Sequence, residues 1–322
     1  MSQDTITQDN ESLIALDNTK RKDLELCERK YYLGRKRQYA PIRGSHALRY
    51  GSTWHAFQEG YYSHIKDYGW TRDGEAVKQA IEFASKEWKK KTSQQSFIED
   101  DYRTFENCAQ SFLEYIVFFQ SDESILEVVA TEQVFELEMK LSDDEKRLFP
   151  ALEGITILFT GKLDLQAKLN EAPWIIDFKS TGQSLGTQST RLNRSAQLMG
   201  YSYAGARTLS FEPSGTLVSL HQLSSRKSKV TGNWGKLTID FQRVPQIFTD
   251  KDIQSWRLSY LSTCEKLIRA QVANCWPMQS DVCFQYGRCI YANLCEQNLS
   301  IEQLEAAVPE GYIHLPWDVR AE

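Results

Sequence analysis

The sequence predicts an α/β fold in which a central mixed sheet is wrapped by helices from the two ends of the chain. Three observations support this class: helical periodicity in the first third of the 322 residues, β-branched and aromatic segments in the middle, and a long helical segment near the end. A chain of this length can bury a substantial core, and its apolar content of 41% is ordinary for a globular protein.

Six helices are predicted from apolar residues that recur at intervals of three and four. In the fifth helix, Ala196, Met199, Tyr203 and Ala206 are spaced in this way. The predicted helices span residues 20–33, 51–65, 74–91, 101–120, 190–207 and 250–274.

Five strands are predicted where β-branched and aromatic residues are concentrated or alternate with polar ones. Ile155, Ile157 and Phe159 share one face of the second strand, and Pro173 precedes the compact third strand. A polar loop is expected over residues 180–190. The predicted strands span residues 125–139, 155–168, 174–179, 216–224 and 236–243.

Composition excludes several classes of protein. No run approaches the ~18 apolar residues of a membrane helix, and residues 1–12 do not have the basic start and apolar run of a secretory signal, so a cytoplasmic protein is expected. Because no repeat or low-complexity linker is found, residues 1–322 are expected to form one domain with its sheet core over 125–243. The net charge of −5 excludes a coat of basic residues, but a nucleic-acid enzyme needs only a positive groove.

Positive charge is concentrated in residues 20–45. Nine Lys and Arg residues stand there against three acids, with Tyr31, Tyr32 and Tyr39 among them. Aromatic faces among cations suit a stacked single strand of nucleic acid, although a solvated helix face would also account for the charge. The residues predicted to bind DNA are Arg29, Lys30, Tyr31, Arg35, Lys36 and Arg37.

Two acids and a lysine are expected to meet on the sheet. Asp177 and Lys179 are two apart on the third strand, so their side chains leave the same face, and Asp164 lies on the strand before it. Adjacent carboxylates are costly unless a cation neutralises them, so Mg²⁺ or Mn²⁺ is expected, with the carbonyl of Phe178 as a further ligand. Lys179 would orient or activate the attacking water. A D-x-K pair is also common as an exposed salt bridge on an edge strand, but this pair ends an apolar run.

Further residues strengthen the metal-site interpretation. Gln197 and Tyr201 are four apart on the next helix and share one face. Upstream, His55 follows Gly51 in a predicted helix, with Glu59 one turn later. A lone histidine at such a position is more often structural than a metal ligand.

Three of the seven cysteines, Cys283, Cys289 and Cys295, fall in one short segment. In a cytosolic chain this clustering indicates a metal or cluster site rather than disulfides. A tetrahedral or cubane site needs a fourth ligand, for which Cys27 is the predicted residue. The remaining cysteines are expected to be buried small hydrophobes: Cys108, Cys264 and Cys275.

The ordered motifs resemble the RecB-like branch of the PD-(D/E)XK nuclease superfamily. The pattern of this branch is G-x-x-x-H, then G-x-x-D, then D-x-K, then Q-x-x-x-Y, and here it spans about 150 residues. The matching pairs are Gly51/His55, Gly161/Asp164, Asp177/Lys179 and Gln197/Tyr201.

The resemblance implies a restriction-endonuclease-like core and a Mg²⁺- or Mn²⁺-dependent DNA nuclease. An exonuclease acting on single strands or DNA ends is expected, in DNA repair, recombination or phage DNA processing. The implied roles are metal binding by His55, Asp164 and Asp177, assistance to the water by Lys179, and positioning of DNA or of the lysine by Gln197 and Tyr201. Glu132, near the middle of the first predicted strand, is a candidate for an accessory metal contact.

The cysteines extend this resemblance. Cys27 is similar to the lone N-terminal cysteine that completes a [4Fe–4S] cluster in AddB-type and CRISPR-adaptation nucleases. A cluster would clasp the N-terminal helical segment to residues 281–295. The C-x₅-C-x₅-C spacing departs from the closer C-x₂-C pair of those relatives, so zinc and reduced, unliganded cysteines are the alternatives.

Two other functions would use the same motifs. A non-catalytic nucleic-acid-binding subunit is one, although such relatives typically lose the acids or the lysine. A restriction-type endonuclease is the other, although it usually carries a separate recognition domain. Because no helicase domain is seen, a stand-alone enzyme of bacterial or phage origin is expected, with DNA as its partner.

Overall fold

The computed structural model describes residues 12–71, 73–98, 100–209, 212–285 and 287–316. The polar start of the chain, residues 1–11, lies outside this range. The strands are β1 (Leu13–Leu16), β2 (Tyr39–Pro41), β3 (Leu126–Glu138), β4 (Thr156–Leu169), β5 (Ala172–Thr181), β6 (Thr216–Ser224), β7 (Thr238–Gln246) and β8 (Tyr312–His314).

Helices occupy most of the rest of the described chain. The α-helices are α1 (Asn18–Leu26), α2 (Glu28–Tyr31), α3 (His46–Tyr68), α4 (Glu75–Gln94), α5 (Phe105–Phe118), α6 (Asp122–Ile125), α7 (Asp143–Leu148), α8 (Leu185–Leu192), α9 (Ala196–Thr208), α10 (Asp250–Val272), α11 (Ala292–Cys295) and α12 (Ile301–Ala306). A π-helical turn (Tyr32–Lys36) and two 3₁₀ turns (Pro150–Leu152 and Ser280–Val282) complete the set. In the described part of the chain, no helix is both long and apolar enough to cross a membrane.

Six strands form a mixed sheet. β4 pairs antiparallel with β3 and β5 and parallel with β1, while β6 runs parallel to β5 and antiparallel to β7. β2 and β8 form a separate antiparallel pair that joins the two ends of the described chain. The prediction of a central mixed sheet flanked by helices is confirmed.

β4 has a gap along one of its edges. β3 occupies the other edge, so β1 and β5 share this one: β1 pairs with residues 156–159 and β5 with residues 165–169. Residues 160–164 therefore lack a partner there among the described strands. Gly161 is required in this stretch because an added Cβ would lie 2.5 Å from a ring carbon of Phe135. The gap opens a space in the middle of the sheet.

Two hydrophobic cores lie on opposite faces of the sheet. On one face, α1, α9 and α10 pack around Phe159, whose ring centroid lies 5.1 Å from that of Trp256. On the other face, α3, α4 and α5 pack around Phe57, which stacks on Phe112 at 4.8 Å. Each fully buried side chain of this size contributes roughly 1.5–3 kcal/mol by leaving water. The two cores hold α3 and α9 against the gap in β4.

The prediction of one continuous basic helix over residues 20–33 is wrong. The chain is extended at Cys27, where φ is −165°, so α1 ends there and α2 begins at Glu28. The Cys27 N–H still donates to Asp23 at 3.0 Å, while its sulfur accepts from the backbone N–H of Gln279 at 3.4 Å. The break brings Cys27 against the C-terminal part of the chain, which no local periodicity could indicate.

Three other differences have local causes. The polar loop expected over 180–190 contains α8, whose first turn is capped by the Ser184 hydroxyl accepting from the N–H of Thr187 at 3.4 Å. The helix predicted over 51–65 begins earlier because the Ser45 hydroxyl caps it, accepting from the N–H of Leu48. β1 was not predicted because a four-residue strand is too short to show alternation.

Candidate active site

The gap in β4 brings together side chains from α3, β3, β4 and β5. Asp164 is nearly buried, and its Oδ2 accepts from the backbone N–H of Phe178 at 2.9 Å. The same oxygen lies 3.3 Å from Nδ1 of His55 on α3. The His55 ring stands edge-on to the Phe178 ring, with centroids 6.5 Å apart. Two of the predicted metal ligands, His55 and Asp164, are therefore in direct contact.

Glu132 lies opposite Asp164 across the β3–β4 ladder, because the residues on either side of each are paired in register. Its φ of 48° is left-handed, which costs a non-glycine residue on the order of 1 kcal/mol and tends to occur where function needs a side chain held in place. Burial and the nearby Asp164 raise the pKa of Glu132 to about 8, although Lys162 opposes the shift. Lys162 Nζ lies 2.5 Å from Glu132 Oε2.

Asp177 is only 1% exposed. Its Oδ1 accepts from Lys179 Nζ at 2.8 Å, whereas its Oδ2 is buried and has no hydrogen-bond partner among the described residues. Burial raises the pKa of Asp177, Lys179 lowers it, and Asp164 raises it again. Although burial lowers the pKa of Lys179, Asp177 and Asp164 together raise it, so this lysine is an ammonium. An unpartnered buried carboxylate oxygen is costly and marks a place for a cation.

Gln197 and Tyr201 reach this site from α9. Gln197 Nε2 donates to the Tyr201 hydroxyl at 2.9 Å, as their spacing of one helical turn allows. Burial raises the pKa of Tyr201 well above its ordinary value, and Asp177 and Asp164 raise it further, so the phenol stays neutral. The Gln197/Tyr201 motif therefore lies beside Asp164 and Asp177.

A cleft with a volume of about 860 Å³ lies between α3, α4 and the sheet. Most of the residues described above line it, whereas Asp177 and Phe178 do not. Its rim carries two apolar side chains, Leu48 at 75% exposed and Phe83 at 38% exposed. The acids that line it are Asp17, Glu59, Glu87, Glu132 and Asp164, and the lysines are Lys86, Lys90, Lys162 and Lys179.

The side chains fit a divalent cation. One donor atom each from His55, Glu132 and Asp164 lies within 4.8 Å of the others. Asp177 is not a member of this group, but its carboxylate interacts electrostatically with Asp164 and His55. Carboxylate oxygens with one imidazole suit Mg²⁺ or Mn²⁺. Glu132, named from sequence only as an accessory candidate, is a full member of this group. The carbonyl of Phe178 as a ligand stays a prediction.

Sequence reasoning did not assign roles to Lys162 and Glu59. Lys162 lies in the same Gly-Lys-Leu-Asp segment as Asp164, which was the available signal. Glu59 lines the cleft one turn after His55, and its pKa is raised by burial. Cross-strand pairing of β3 with β4 brings Lys162 to Glu132, whereas helical spacing on α3 brings Glu59 to the cleft.

The basic segment 20–45 makes many contacts within the fold. Lys30 and Arg35 both pair with Asp23, each at 2.7 Å, and Tyr31 stacks on Trp276 with centroids 6.0 Å apart. Further contacts inside the fold are made by Arg29, Lys36 and Arg37. DNA binding by these residues stays a prediction, and the burial of Tyr31 leaves little of its ring exposed.

The cysteines of the two chain ends approach one another. The N–H of Gln279 donates to Cys27 Sγ at 3.4 Å, Cys283 Sγ contacts the Gln279 carbonyl at 3.8 Å, and the N–H of Cys289 donates to the Cys283 carbonyl at 2.7 Å. Burial, with smaller contributions from Cys27, Cys289 and Cys283, raises the pKa of the Cys295 thiol to about 11. Within the described ranges they do not form a group close enough to share one ion, as His55, Glu132 and Asp164 do.

The other cysteines divide between core and surface. Cys108 and Cys264 are buried, as predicted, whereas Cys275 is exposed. The prediction was wrong for Cys275, which follows the end of α10 and is exposed, while the adjacent Trp276 fills the core.

Comparisons with known proteins bear on the family of this chain. The family model for the PD-(D/E)XK nuclease superfamily matches residues 19–296, a range that contains all four sequence motifs. A solved structure described as "Crystal structure of SSO0001" is similar at 10% identity, covering 77% of this chain and 86% of the other, with a TM-score of 0.29. No curated protein matches the sequence. Because the family match covers most of the chain, this protein belongs to the PD-(D/E)XK nuclease superfamily.

Proposed function

We propose that the protein is a Mg²⁺- or Mn²⁺-dependent deoxyribonuclease of the RecB-like branch, acting as an exonuclease on single strands or DNA ends. Membership of the superfamily already implies nuclease activity, a nucleic-acid substrate and a divalent metal. The observation that carries the proposal is the unpartnered, buried Oδ2 of Asp177 beside the group formed by His55, Glu132 and Asp164.

The acids and His55 would hold the cation. A bound divalent ion would supply Lewis-acid stabilisation of the phosphate and a more acidic water. Asp164 is oriented for this role because its Oδ2 is fixed by the Phe178 N–H at 2.9 Å. Lys162, 2.5 Å from Glu132, offsets part of the negative charge while the site is empty of substrate.

Lys179 would act on the reacting groups. Its ammonium is held by Asp177 at 2.8 Å on the face of the sheet that carries the acids. From there it would orient the water whose oxygen bonds to phosphorus and stabilise the negative charge as one P–O ester bond breaks. The neutral Tyr201 hydroxyl, fixed by Gln197, would position the lysine or a phosphate oxygen.

The rim of the cleft favours unstacked bases over an intact duplex. Leu48 and Phe83 present apolar surface beside Lys86 and Lys90 on the same cleft. Apolar and aromatic faces beside cations suit the bases and phosphates of a single strand. These features support single-stranded DNA or a frayed end as the substrate.

A [4Fe–4S] cluster held by Cys27, Cys283, Cys289 and Cys295 forms part of the proposal. Four thiolates on one tetrahedral zinc would lie within about 4 Å of each other, given Zn–S bonds of about 2.3 Å, whereas a cubane binds each sulfur to a different iron. The preference for the cluster over zinc rests on the resemblance of these four cysteines to those of AddB-type and CRISPR-adaptation nucleases. The N–H of Gln279 already donates to Cys27 Sγ, a contact typical of metal-bound thiolates. The cluster would join the chain ends, so we propose that the whole chain is one nuclease domain.

The substrate class can be tested with four DNAs of one sequence composition: linear single strands, closed circular single strands, linear duplex and closed circular duplex. We expect Mg²⁺- or Mn²⁺-dependent degradation of the linear molecules, chelator-sensitive, with the circular ones spared. Cutting of closed duplex at a defined sequence would favour a restriction-type endonuclease. Binding without cleavage of any substrate would favour a non-catalytic subunit.

A further inference from the structure

A second basic feature lies outside the cleft, in the connection between β6 and β7. We name residues 225–236 the basic hairpin. They contain four cations, Arg226, Lys227, Lys229 and Lys236, and no acid. The sequence analysis had assigned this segment no role. So strong a local excess of one sign is unusual in a chain whose net charge is −5.

The basic hairpin has a defined shape. The N–H of Ser228 donates to the carbonyl of Asn233 at 2.8 Å, and the N–H of Gly235 donates to the carbonyl of Arg226 at 2.9 Å. The tip closes through Gly232, whose φ of 71° is in the left-handed region that glycine adopts without strain. The cations are therefore carried on an ordered turn rather than on an extended coil.

One anchor fixes the basic hairpin to the body of the protein. Asp100 accepts from Trp234 Nε1 at 2.9 Å and pairs with Lys227, while the Trp234 ring packs on Tyr102 with centroids 4.9 Å apart. The remaining cations are exposed and form no ion pair with the described residues: Arg226, Lys229 and Lys236. Lys227 therefore takes part in the anchor, and the other three cations face solvent.

The register of the sheet places the basic hairpin near the catalytic strand. β5 and β6 are parallel, and Lys179 pairs with Leu220, four residues before β6 ends at Ser224. At about 3.3 Å per residue, the hairpin starts roughly 17 Å beyond Lys179. That distance corresponds to about five nucleotides at 3.4 Å per nucleotide.

Packing contacts connect the cleft with the segment that anchors the basic hairpin. Ser180, next to Lys179 on β5, and Leu48, near the start of α3, both line the cleft. The start of α3 meets the segment that leads to Asp100, because the His46 ring lies edge-on to Phe97 with centroids 5.5 Å apart. A strand leaving the cleft past Ser180 would meet the hairpin cations next.

We propose that the basic hairpin binds the phosphate backbone of the nucleic acid a few nucleotides beyond the cleaved bond. The inference rests on the proposed nuclease function for its choice of partner. Arg226 and Lys229 would contact phosphates without reading bases, since cations on an exposed turn recognise charge rather than sequence. The hairpin would add affinity for long substrates and leave the reacting groups untouched.

Binding of a 30-nucleotide oligothymidine to the full chain in EDTA, followed by fluorescence anisotropy across salt concentrations, tests this directly. We expect the double variant Arg226→Ala/Lys229→Ala to bind about tenfold more weakly at low salt. Its slope of log K against log salt should be smaller by about 1.4, roughly 0.7 for each lost phosphate contact. Backbone hydrogen bonds of the hairpin are retained in this variant, and circular dichroism would verify its fold.

Lys251→Ala is the matched control. This exposed lysine follows the other end of β7, which runs antiparallel to β6, so it lies roughly 27 Å of strand length from the hairpin. It should bind like the unaltered protein. Unchanged affinity and slope in the double variant, or no oligonucleotide binding by the unaltered protein, would overturn the inference. Hairpin-dependent binding without metal-dependent cleavage would overturn the proposed nuclease function and leave the inference standing.

Discussion

The backbone N–H of Phe178 donates to the Oδ2 of Asp164 at 2.9 Å, so a side chain takes the place of a backbone bond between β4 and β5. Regular pairing of these strands reaches only Leu165 and Ile176, immediately before this contact. The strands separate at the point where the acids of the site lie. The Asp164 carboxylate therefore bridges β4 and β5 where their backbone pairing ends, and it faces the proposed metal position. Its orientation is fixed by a backbone N–H of the neighbouring strand, β5.

Replacing Glu132 should weaken metal binding. One carboxylate oxygen of Glu132 lies within 4.8 Å of donor atoms of His55 and Asp164. A glutamine of the same size keeps the packing but cannot supply a carboxylate ligand. We expect Glu132→Gln to lower Mn²⁺ affinity by about 10–100-fold, as measured by titration calorimetry. Glu138→Gln, an exposed acid on the same strand, is the control and should bind as the unaltered protein does. Equal Mn²⁺ affinity in the two variants would remove Glu132 from the metal site.

Removing the Tyr201 hydroxyl should destabilise the fold slightly. Tyr201→Phe leaves Gln197 Nε2 without its acceptor in a partly buried place, which costs up to about 1 kcal/mol of unfolding free energy. Urea denaturation measures this loss, and Tyr68→Phe, at a residue that is 70% exposed, should leave the unfolding free energy unchanged. If both variants unfold alike, the hydrogen bond to Gln197 does not form in solution.

The iron–sulfur proposal makes a prediction that does not depend on activity. Purified without oxygen, the protein should contain about four irons with matching sulfide and absorb as a brown cluster. Cys27→Ser should lose most of the iron, because Cys27 is the one thiol contributed by the N-terminal part of the chain. Cys275→Ser removes an exposed thiol outside the group and should keep it. Stoichiometric zinc with no iron would instead identify the alternative metal.

His221 should make stability depend on pH. Its ring is fully buried, lies 4.0 Å from the ring of Trp54, and neither nitrogen has a partner among the described residues. Burial lowers its pKa to about 3, against about 6.5 in an unfolded chain. Between these values the unfolded chain binds the proton more readily, so stability falls as pH drops below 6.5, by up to about 1.4 kcal/mol per unit.

Phenylalanine is the matched substitution for this test, because it keeps the stacked ring and cannot be protonated. The difference in unfolding free energy between the unaltered protein and His221→Phe should be constant above pH 7. It should shift in favour of the variant as the pH falls toward 4, as measured by urea denaturation at each pH. Parallel pH profiles for the two proteins would show that His221 does not titrate differently on folding.

The sequence allowed the catalytic motifs to be predicted because each motif is local. Asp177 and Lys179 share a strand face through their spacing, and Gln197 and Tyr201 share a helix face in the same way. The order of the motifs then linked segments that the fold brings together. Local spacing, however, says nothing about which residues lie opposite each other on neighbouring strands.

Cross-strand register explains what the sequence could not supply. Glu132 enters the metal group because β3 pairs with β4 at one particular register, and Lys162 reaches it for the same reason. The position of the basic hairpin relative to Lys179 likewise follows from the pairing of β6 with β5. Similarly, the break at Cys27 depends on contacts with residues about 250 positions later, such as Gln279.

Metal-dependent DNA cleavage by Lys179→Ala and Asp177→Asn, beside the unaltered protein, tests the central claim most directly. Lys168→Ala is the matched control, since Lys168 is a surface lysine on β4 that pairs with Glu127. With linear single-stranded DNA and Mg²⁺ or Mn²⁺, we expect each active-site variant to lose at least about 10²–10³-fold in rate, and Lys168→Ala to cleave normally. Cleavage by both active-site variants at the rate of the unaltered, folded protein would contradict the assignment of this site.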